Sequence, residues 1–190
     1  MPPRGTRREP DSAQLQDRRA LDDLFTATYQ ELRRRASRSV RRGDARITLS
    51  PTGVVNEAWF KLVRSPGLGA KSPAEFVAIA ANAIRQVLIE AARRRNAQRR
   101  RGAAGSVRVP LDDADAVDEQ VVSVEELLAL DDGLQQLALV DPPRARLVEQ
   151  RYFGGLTIAE LAGLAGVSEA TVKRDLRAAG AWLKARLRHR

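Results

Sequence analysis

The chain has 190 residues, of which 33 are Lys or Arg, 24 are Asp or Glu and one is His, so its formal charge is +9. It contains no Cys, which excludes disulfides, cysteine-ligated zinc sites and thiol nucleophiles. A single His leaves neither a histidine metal cluster nor a histidine-based catalytic triad, so we expect no cofactor and no enzymatic activity. The excess of cations predicts a polyanionic partner, either nucleic acid or an acidic membrane surface.

The charge is divided into three blocks along the chain. Residues 1–109 carry 23 basic and 10 acidic side chains, residues 110–132 carry 9 acidic and no basic ones, and residues 133–190 carry 10 basic and 5 acidic ones. This pattern favours two basic domains joined by an acidic linker. The alternative is two ordinary solvated surfaces joined by a loop that is acidic by chance.

The first residues of the chain and the hydropathy pattern predict the cellular location of the protein. Residues 1–17 are polar and Pro-rich and predict a disordered lead-in. They contain no apolar core of a targeting segment, and no stretch reaches the roughly 18 apolar residues that a spanning helix needs. We therefore expect a cytoplasmic protein without membrane insertion.

Helical periodicity runs through residues 18–102. Apolar residues recur at three- and four-residue steps from Leu21 to Leu32, and Gly43 ends that pattern. Ser50-Pro51 and Ser72-Pro73 each pair a cap residue with a Pro at the first helical position, so two further helices begin there. The third helix carries a long apolar stripe from Phe76 to Ala91 and runs into an Arg-rich end.

A second helical region is predicted over residues 123–190, after a linker at 103–122 that has no apolar stripe. One helix begins near Ser123, and another begins at Asp141-Pro142. No alternating run of β-branched residues appears. The sequence therefore predicts an all-α fold with two helical domains joined by a flexible acidic linker.

A helix-turn-helix is the most informative pattern in the second region. Thr157 and Glu160 have the spacing of a capping box. Gly166 is placed to take the positive φ of a tight helix–helix turn, and Ser168 is placed to cap the following helix. That helix presents polar and basic side chains that suit a DNA major groove. The predicted DNA-binding residues are Ser168, Thr171, Lys173, Arg174 and Arg177. The alternative is a plain helical hairpin with a solvated basic face.

The segment from Pro142 to Leu187 resembles region 4 of bacterial RNA polymerase sigma factors, and in particular those of the extracytoplasmic-function (ECF) group. The residues that carry the resemblance are the Tyr152–Thr157 stretch, Ile158-Ala159-Glu160-Leu161-Ala162 and Gly166-Val167-Ser168-Glu169-Ala170-Thr171-Val172-Lys173-Arg174. The resemblance implies that the second helix of the helix-turn-helix reads the −35 promoter element. The chain has Arg174-Asp175 where Ser-Arg is frequent in the family. Asp175 is suited either to accept a hydrogen bond from cytosine N4 or to pair with a neighbouring Arg.

The first half resembles sigma region 2. Residues 56–62, Asn-Glu-Ala-Trp-Phe-Lys-Leu, are similar to region 2.2, which docks on the β′ coiled coil of the core enzyme. Residues 76–85 and the Arg-rich end are similar to regions 2.3 and 2.4, which open DNA at the −10 element and capture a flipped base. The short linker, without regions 1.1 and 3, is the ECF layout.

The resemblance and the side-chain chemistry together predict two further sets of binding residues, one for the −10 element and one for the polymerase. Extruding a base costs a few kcal/mol, which amide and guanidinium contacts must offset, and the Arg cluster suits duplex phosphates. The predicted −10 residues are Asn82, Arg85, Gln86, Arg93 and Arg94. The predicted polymerase-binding residues are Asn56, Glu57, Phe60 and Lys61. Trp59 lies on the apolar stripe and is predicted to be core. A solvent-facing Asn82 and a solvated basic helix end remain the alternatives.

The predicted function is that of a sigma factor that directs core polymerase to selected promoters and melts them. The implied partners are core RNA polymerase, through its β′ coiled coil and β flap, and promoter DNA. Family members often have an anti-sigma factor too, although the chain carries no readable docking signature for one. We interpret the acidic residues 110–122 as repelling DNA and entering a basic polymerase channel; the alternative is a solubilising tether. An ordinary helix-turn-helix regulator without polymerase is the alternative function, and it leaves the region 2 resemblance unexplained.

Overall fold

The structure is a computed structural model that describes residues 12–42, 49–65, 72–100 and 123–188. These ranges form helices and contain no strand, which confirms the all-α fold. The helices are α1 (Ser12–Arg42), α2 (Pro51–Leu62), α3 (Pro73–Arg100), α4 (Val124–Val140), α5 (Pro142–Tyr152), α6 (Ile158–Ala165) and α7 (Glu169–Arg188). The predicted linker lies outside the described residues. Because α1 begins at Ser12, its first turns fall within the range that was predicted as a lead-in.

The helices begin at the cap residues that the sequence predicts. Ser50 Oγ accepts from the Gly53 backbone N–H at 3.1 Å, and Ser72 Oγ accepts from that of Glu75 at 3.2 Å. Each bond satisfies one of the free N–H groups at a helix start. Ser123 goes further, because its hydroxyl and the Glu126 carboxylate form a complete capping box at the start of α4.

The N-terminal region packs α1, α2 and α3 around the apolar stripe of α3. Phe76, Ile84 and Val87 on that stripe are essentially fully buried, as the periodicity predicts. Trp59 stacks on Phe25 of α1 with ring centroids 4.3 Å apart and planes at 17°. Trp59 therefore belongs to the packing between α1 and α2, as predicted.

In the C-terminal region α5 and α7 pack against α4, and α6 packs against α5 and α7. Leu127, Leu134 and Leu137 form the buried stripe of α4. Gly133 of α4 allows α7 to approach closely, because a Cβ at Gly133 would stand 3.0 Å from Leu183 Cδ2. The helix-turn-helix is thus held on a helical base.

The two regions share one hydrophobic core. α3 packs against α4, α5 and α6, and Phe153 and Leu156, in the connection between α5 and α6, are 0% and 1% exposed within that core. Among the described helices, none has the length and apolar character required to cross a bilayer.

Candidate nucleic-acid interface

The helix-turn-helix is built by two caps and one glycine. Thr157 Oγ1 accepts from the Glu160 backbone N–H at 3.2 Å, and the Glu160 carboxylate accepts from the Thr157 N–H at 2.7 Å. Gly166 ends α6 with φ at 65°, a left-handed conformation that a Cβ disfavours. The capping box and the positive φ predicted from the sequence are both confirmed.

Helix α7 is amphipathic across the predicted recognition surface. Val172 is fully buried, whereas Lys173, Arg174 and Arg177 are exposed. The side chain of Arg174 is 72% exposed. The three cations have i, i+1 and i+4 spacing, so they lie on one side of the helix. We call these three residues the α7 basic face.

Two of the predicted −35 residues also form hydrogen bonds at the start of α7. Ser168 Oγ accepts from the Thr171 backbone N–H at 3.2 Å and lies 3.0 Å from Thr171 Oγ1. Ser168 therefore caps α7, as predicted, and Thr171 is half-buried beside it. Their position at the start of α7 is where recognition helices contact bases.

Asp175 pairs with arginine in this structure. Arg144 of α5 approaches its Oδ1 at 3.2 Å through Nη2, and Arg174 Nε lies 3.9 Å from the same oxygen. Since the Asp175 side chain is only 21% exposed, its contact with Arg144 ties α7 to α5. Of the two roles open to Asp175 in the sequence, the arginine pair is the one observed.

The predicted −10 residues on α3 divide into exposed and enclosed ones. Asn82 and Gln86 are exposed and bonded to each other, with Gln86 Nε2 donating to Asn82 Oδ1 at 2.7 Å. Arg85 is enclosed, with a side chain 13% exposed. Its Nη2 donates to Asp131 Oδ1 of α4 at 2.7 Å, and its Nη1 donates to Glu149 Oε2 of α5, also at 2.7 Å.

Arg93 and Arg94 point in different directions from α3. Arg93 Nη2 donates to Asp131 Oδ2 at 3.1 Å, although its side chain is 59% exposed. Arg94 turns toward α2, where its Nη2 lies 4.0 Å from Glu57 Oε2. Arg93 thus joins the face that contains Arg85, whereas Arg94 joins the surface of α2.

The predicted polymerase residues form one surface on α2. Asn56 and Phe60 are one helical turn apart, and so are Glu57 and Lys61. Phe60 is 58% exposed, so its ring is accessible on this surface. Lys61 Nζ is bonded to Glu90 Oε1 of α3 at 2.7 Å. We call these four residues the α2 surface.

Sequence reasoning missed the ion pairs between the two regions. Arg35 of α1, 9% exposed, binds Glu160 Oε1 of α6 at 2.7 Å and donates to the Gly154 carbonyl at 3.3 Å. Burial raises the pKa of Glu160, but the hydrogen bonds from Arg35 and from the Thr157 backbone outweigh it, so the pKa lies below its ordinary value.

One of these missed residues had a readable signal. Asp131 lies on the Leu127–Leu134 stripe of α4 at i+4 and is 4% exposed. A carboxylate at a core position requires a buried partner. Because Asp131 belongs to the acidic block 110–132, it was counted with the solvated linker charges and its need for a partner was overlooked.

A family model described as "ECF sigma factor" matches residues 11–189. That range includes both helical regions and the segment between them. No curated protein matches the chain.

Proposed function

Because the chain belongs to the ECF sigma factor family, and so acts in promoter-directed transcription initiation with RNA polymerase and promoter DNA as partners, we propose which of its surfaces does each task. The α7 basic face reads the −35 element. The predicted −10 residues of α3 contact the −10 element and promote melting, and the α2 surface binds core polymerase.

The observation that carries the proposal is the exposed α7 basic face on a capped helix-turn-helix. A recognition helix must be held rigidly and must present side chains long enough to reach base edges. Val172 of α7 is fully buried, while the Arg174 side chain is 72% exposed. Lys173 and Arg177 widen the same face, and their charge would also bind phosphates.

On α3, the exposed Asn82–Gln86 pair supports a role in melting. Two amides at i and i+4 present donors and acceptors on one face, as the capture of an extruded base requires. Asn82→Ala should lower open-complex formation and leave core binding intact. Unchanged melting would remove Asn82 from the site.

On α2, the exposure of Phe60 supports a protein partner, because aromatic residues are enriched at interface cores. Phe60→Ala and Asn56→Ala should weaken the binding of core polymerase. Gln30→Ala is the control, since it also truncates an exposed polar side chain, on α1. Equal affinity of all variants for core polymerase would exclude the α2 surface.

The acidic residues 110–122 complete the proposal, as a segment that enters a basic channel of the polymerase. Converting their Asp residues to Asn should impair initiation more than promoter binding. No effect on either would leave only a tether.

The decisive test is transcription in vitro with purified core polymerase and genomic promoter templates. Promoter-specific initiation that depends on this protein supports the proposal. DNA binding without core association would instead indicate an ordinary helix-turn-helix regulator.

A further inference from the structure

Asp175 lies on the side of α7 that faces the rest of the protein. Val172, three residues before it, and Ala179, four residues after it, are 0% and 1% exposed, and residues at these spacings share one face of a helix. The Asp175 side chain is itself only 21% exposed. A carboxylate in this position requires a polar or charged partner, because it has lost most of its contact with water.

Arg144 of α5 supplies that partner through two donors. Its Nη2 and Nε donate to Asp175 Oδ1 at 3.2 and 3.4 Å. Arg144 is held in turn by Asp141, whose Oδ2 lies 2.9 Å from Arg144 Nη1 and whose Oδ1 accepts from the Arg144 backbone N–H at 3.1 Å. Each nitrogen of the guanidinium therefore faces a carboxylate, and the group joins the start of α5 to α7.

The carboxylate of Asp175 also lies beside the α7 basic face. Arg174 Nε is 3.9 Å from Asp175 Oδ1, although 72% of the Arg174 side chain is exposed. Within the part of the chain that the structure describes, Asp175 is the one acidic residue within 4 Å of the Arg174 guanidinium. A carboxylate on the Nε side leaves the two Nη groups available for a bidentate contact with guanine O6 and N7.

Stability alone is a weak reason for this arrangement. Ion pairs between partly exposed side chains contribute little to the free energy of unfolding, and apolar residues of similar volume often pack as well as a buried pair. Orientation is a stronger reason. A long side chain loses rotamer freedom when it contacts a base, and a fixed neighbouring carboxylate restricts that freedom before binding. Asp175 is fixed because Arg144 anchors it to α5.

We propose that Arg144 is a positioning residue for −35 recognition, which acts through Asp175 to hold α7 and the Arg174 side chain in the orientation that reads a base pair. This inference rests on the proposed function. It adds a residue of α5, outside the helix-turn-helix, to those that determine promoter sequence preference. Arg144 acts in this way without contacting DNA.

Charge and orientation make different predictions for the two partners. Arg144→Ala removes a cation and should weaken binding to every duplex, whereas Asp175→Asn removes an anion and should strengthen it, because DNA is negative. Contacts of charge with phosphates carry no sequence information. If the two residues orient Arg174, both substitutions should instead lower the same quantity, the ratio of the affinities for the −35 sequence and for a scrambled sequence.

The test uses the holoenzyme formed with purified core polymerase. The wild type first selects its −35 sequence from promoter fragments randomised at that element, and competition binding then gives the affinity ratio for each variant. We expect the ratio to fall about tenfold in Arg144→Ala and in Asp175→Asn, which is within the range that one bidentate base contact supplies. The preference should be lost at the same base pair as in Arg174→Ala.

The double variant Arg144→Ala, Asp175→Asn distinguishes one shared contact from two separate ones. Its ratio should be no lower than that of either single variant, because both substitutions break the same contact. Losses that multiply in the double variant, or that fall on a base pair other than the one read by Arg174, would overturn the inference. Assembly of the holoenzyme shows that a variant is folded, and if one single variant fails to assemble, the other decides.

The matched control is Arg146→Ala, which removes another exposed cation of α5, one that lines the cleft toward α3. It should weaken binding to all duplexes at most slightly and leave the affinity ratio at the wild-type value. Unchanged ratios in Arg144→Ala and Asp175→Asn, or an equal fall in the control, would also overturn the inference.

The wild type and Arg174→Ala separate this inference from the proposed function. A holoenzyme that selects no −35 sequence, or that keeps its full preference in Arg174→Ala, would reject the α7 basic face as the −35 reader and the positioning role with it. A preference that Arg174→Ala removes and that the Arg144 and Asp175 variants retain would reject the positioning role alone.

Discussion

The faces of α3 and α7 carry similar arginines but face different surroundings. On α7, Arg174 extends into solvent with 72% of its side chain exposed. On α3, Arg85 is 13% exposed and bound by two carboxylates of the other region. Basic side chains on a predicted DNA-binding helix therefore do not establish that the helix is free to bind, because the partner of each cation decides that.

The largest expected effect comes from crowding the contact between the two regions where Gly154 lies closest to α3. In Gly154→Ala the added Cβ would meet the Gln150 carbonyl at 2.6 Å and Ala81 Cβ at 2.8 Å. Overpacking of this kind costs about 1–3 kcal/mol, and we expect the upper end because a backbone atom must shift. Urea unfolding followed by circular dichroism measures it.

The control for that substitution is Gly163→Ala in α6, where nothing lies within 4 Å. It should stabilise the protein by about 0.5–1 kcal/mol, because Ala is the better helix former. Equal stabilities of the two variants would show that the close approach at Gly154 does not constrain the fold.

The next largest effect concerns the exposed α7 basic face. Arg174→Ala should weaken binding of −35 duplex DNA by about 1–3 kcal/mol if it contacts base edges. Lys184→Ala, which removes an exposed cation further along α7, should have little effect. Titration of specific and scrambled duplexes measures both. A uniform loss on all sequences would make Arg174 a phosphate contact.

A smaller effect is expected at the turn that positions α7. Gly166 has φ at 65° and open space around it, so only backbone strain opposes a side chain there. Gly166→Val should destabilise the protein by about 1–2 kcal/mol. Gly180→Ala within α7, also in open space, should stabilise it instead. Thermal unfolding of the two variants distinguishes strain from crowding.

The smallest effect concerns acid. The pKa of Glu160 is lower in the folded protein than its ordinary value, so its stabilising contribution is complete above the unfolded pKa. That contribution is lost as the pH falls through the folded pKa. The stability of the wild type should therefore fall in acid more steeply than that of Glu160→Gln. Glu169→Gln on α7 is the control, and parallel profiles for wild type and Glu160→Gln would contradict the expectation.

Local signals in the sequence were sufficient for the helices and for the helix-turn-helix. Ser50, Thr157 and Gly166 act on atoms within a few residues, so their spacing alone predicts the caps and the turn. The contacts that the predicted site residues make in the folded chain could not be predicted in the same way. Arg85 meets Glu149 and Arg35 meets Glu160 across 64 and 125 residues, separations at which a single sequence carries no periodic signal.

The contact between the two regions, made by the pairs Arg35–Glu160 and Arg85–Glu149, is intramolecular. Since both halves belong to one chain, their mutual effective concentration is fixed by the 22 residues of segment 101–122 and not by how much protein the cell makes. Doubling that length would weaken the contact between the two regions by only about 0.6 kcal/mol. The fraction of molecules in which Arg35 and Arg85 bind the other region would thus be independent of protein concentration.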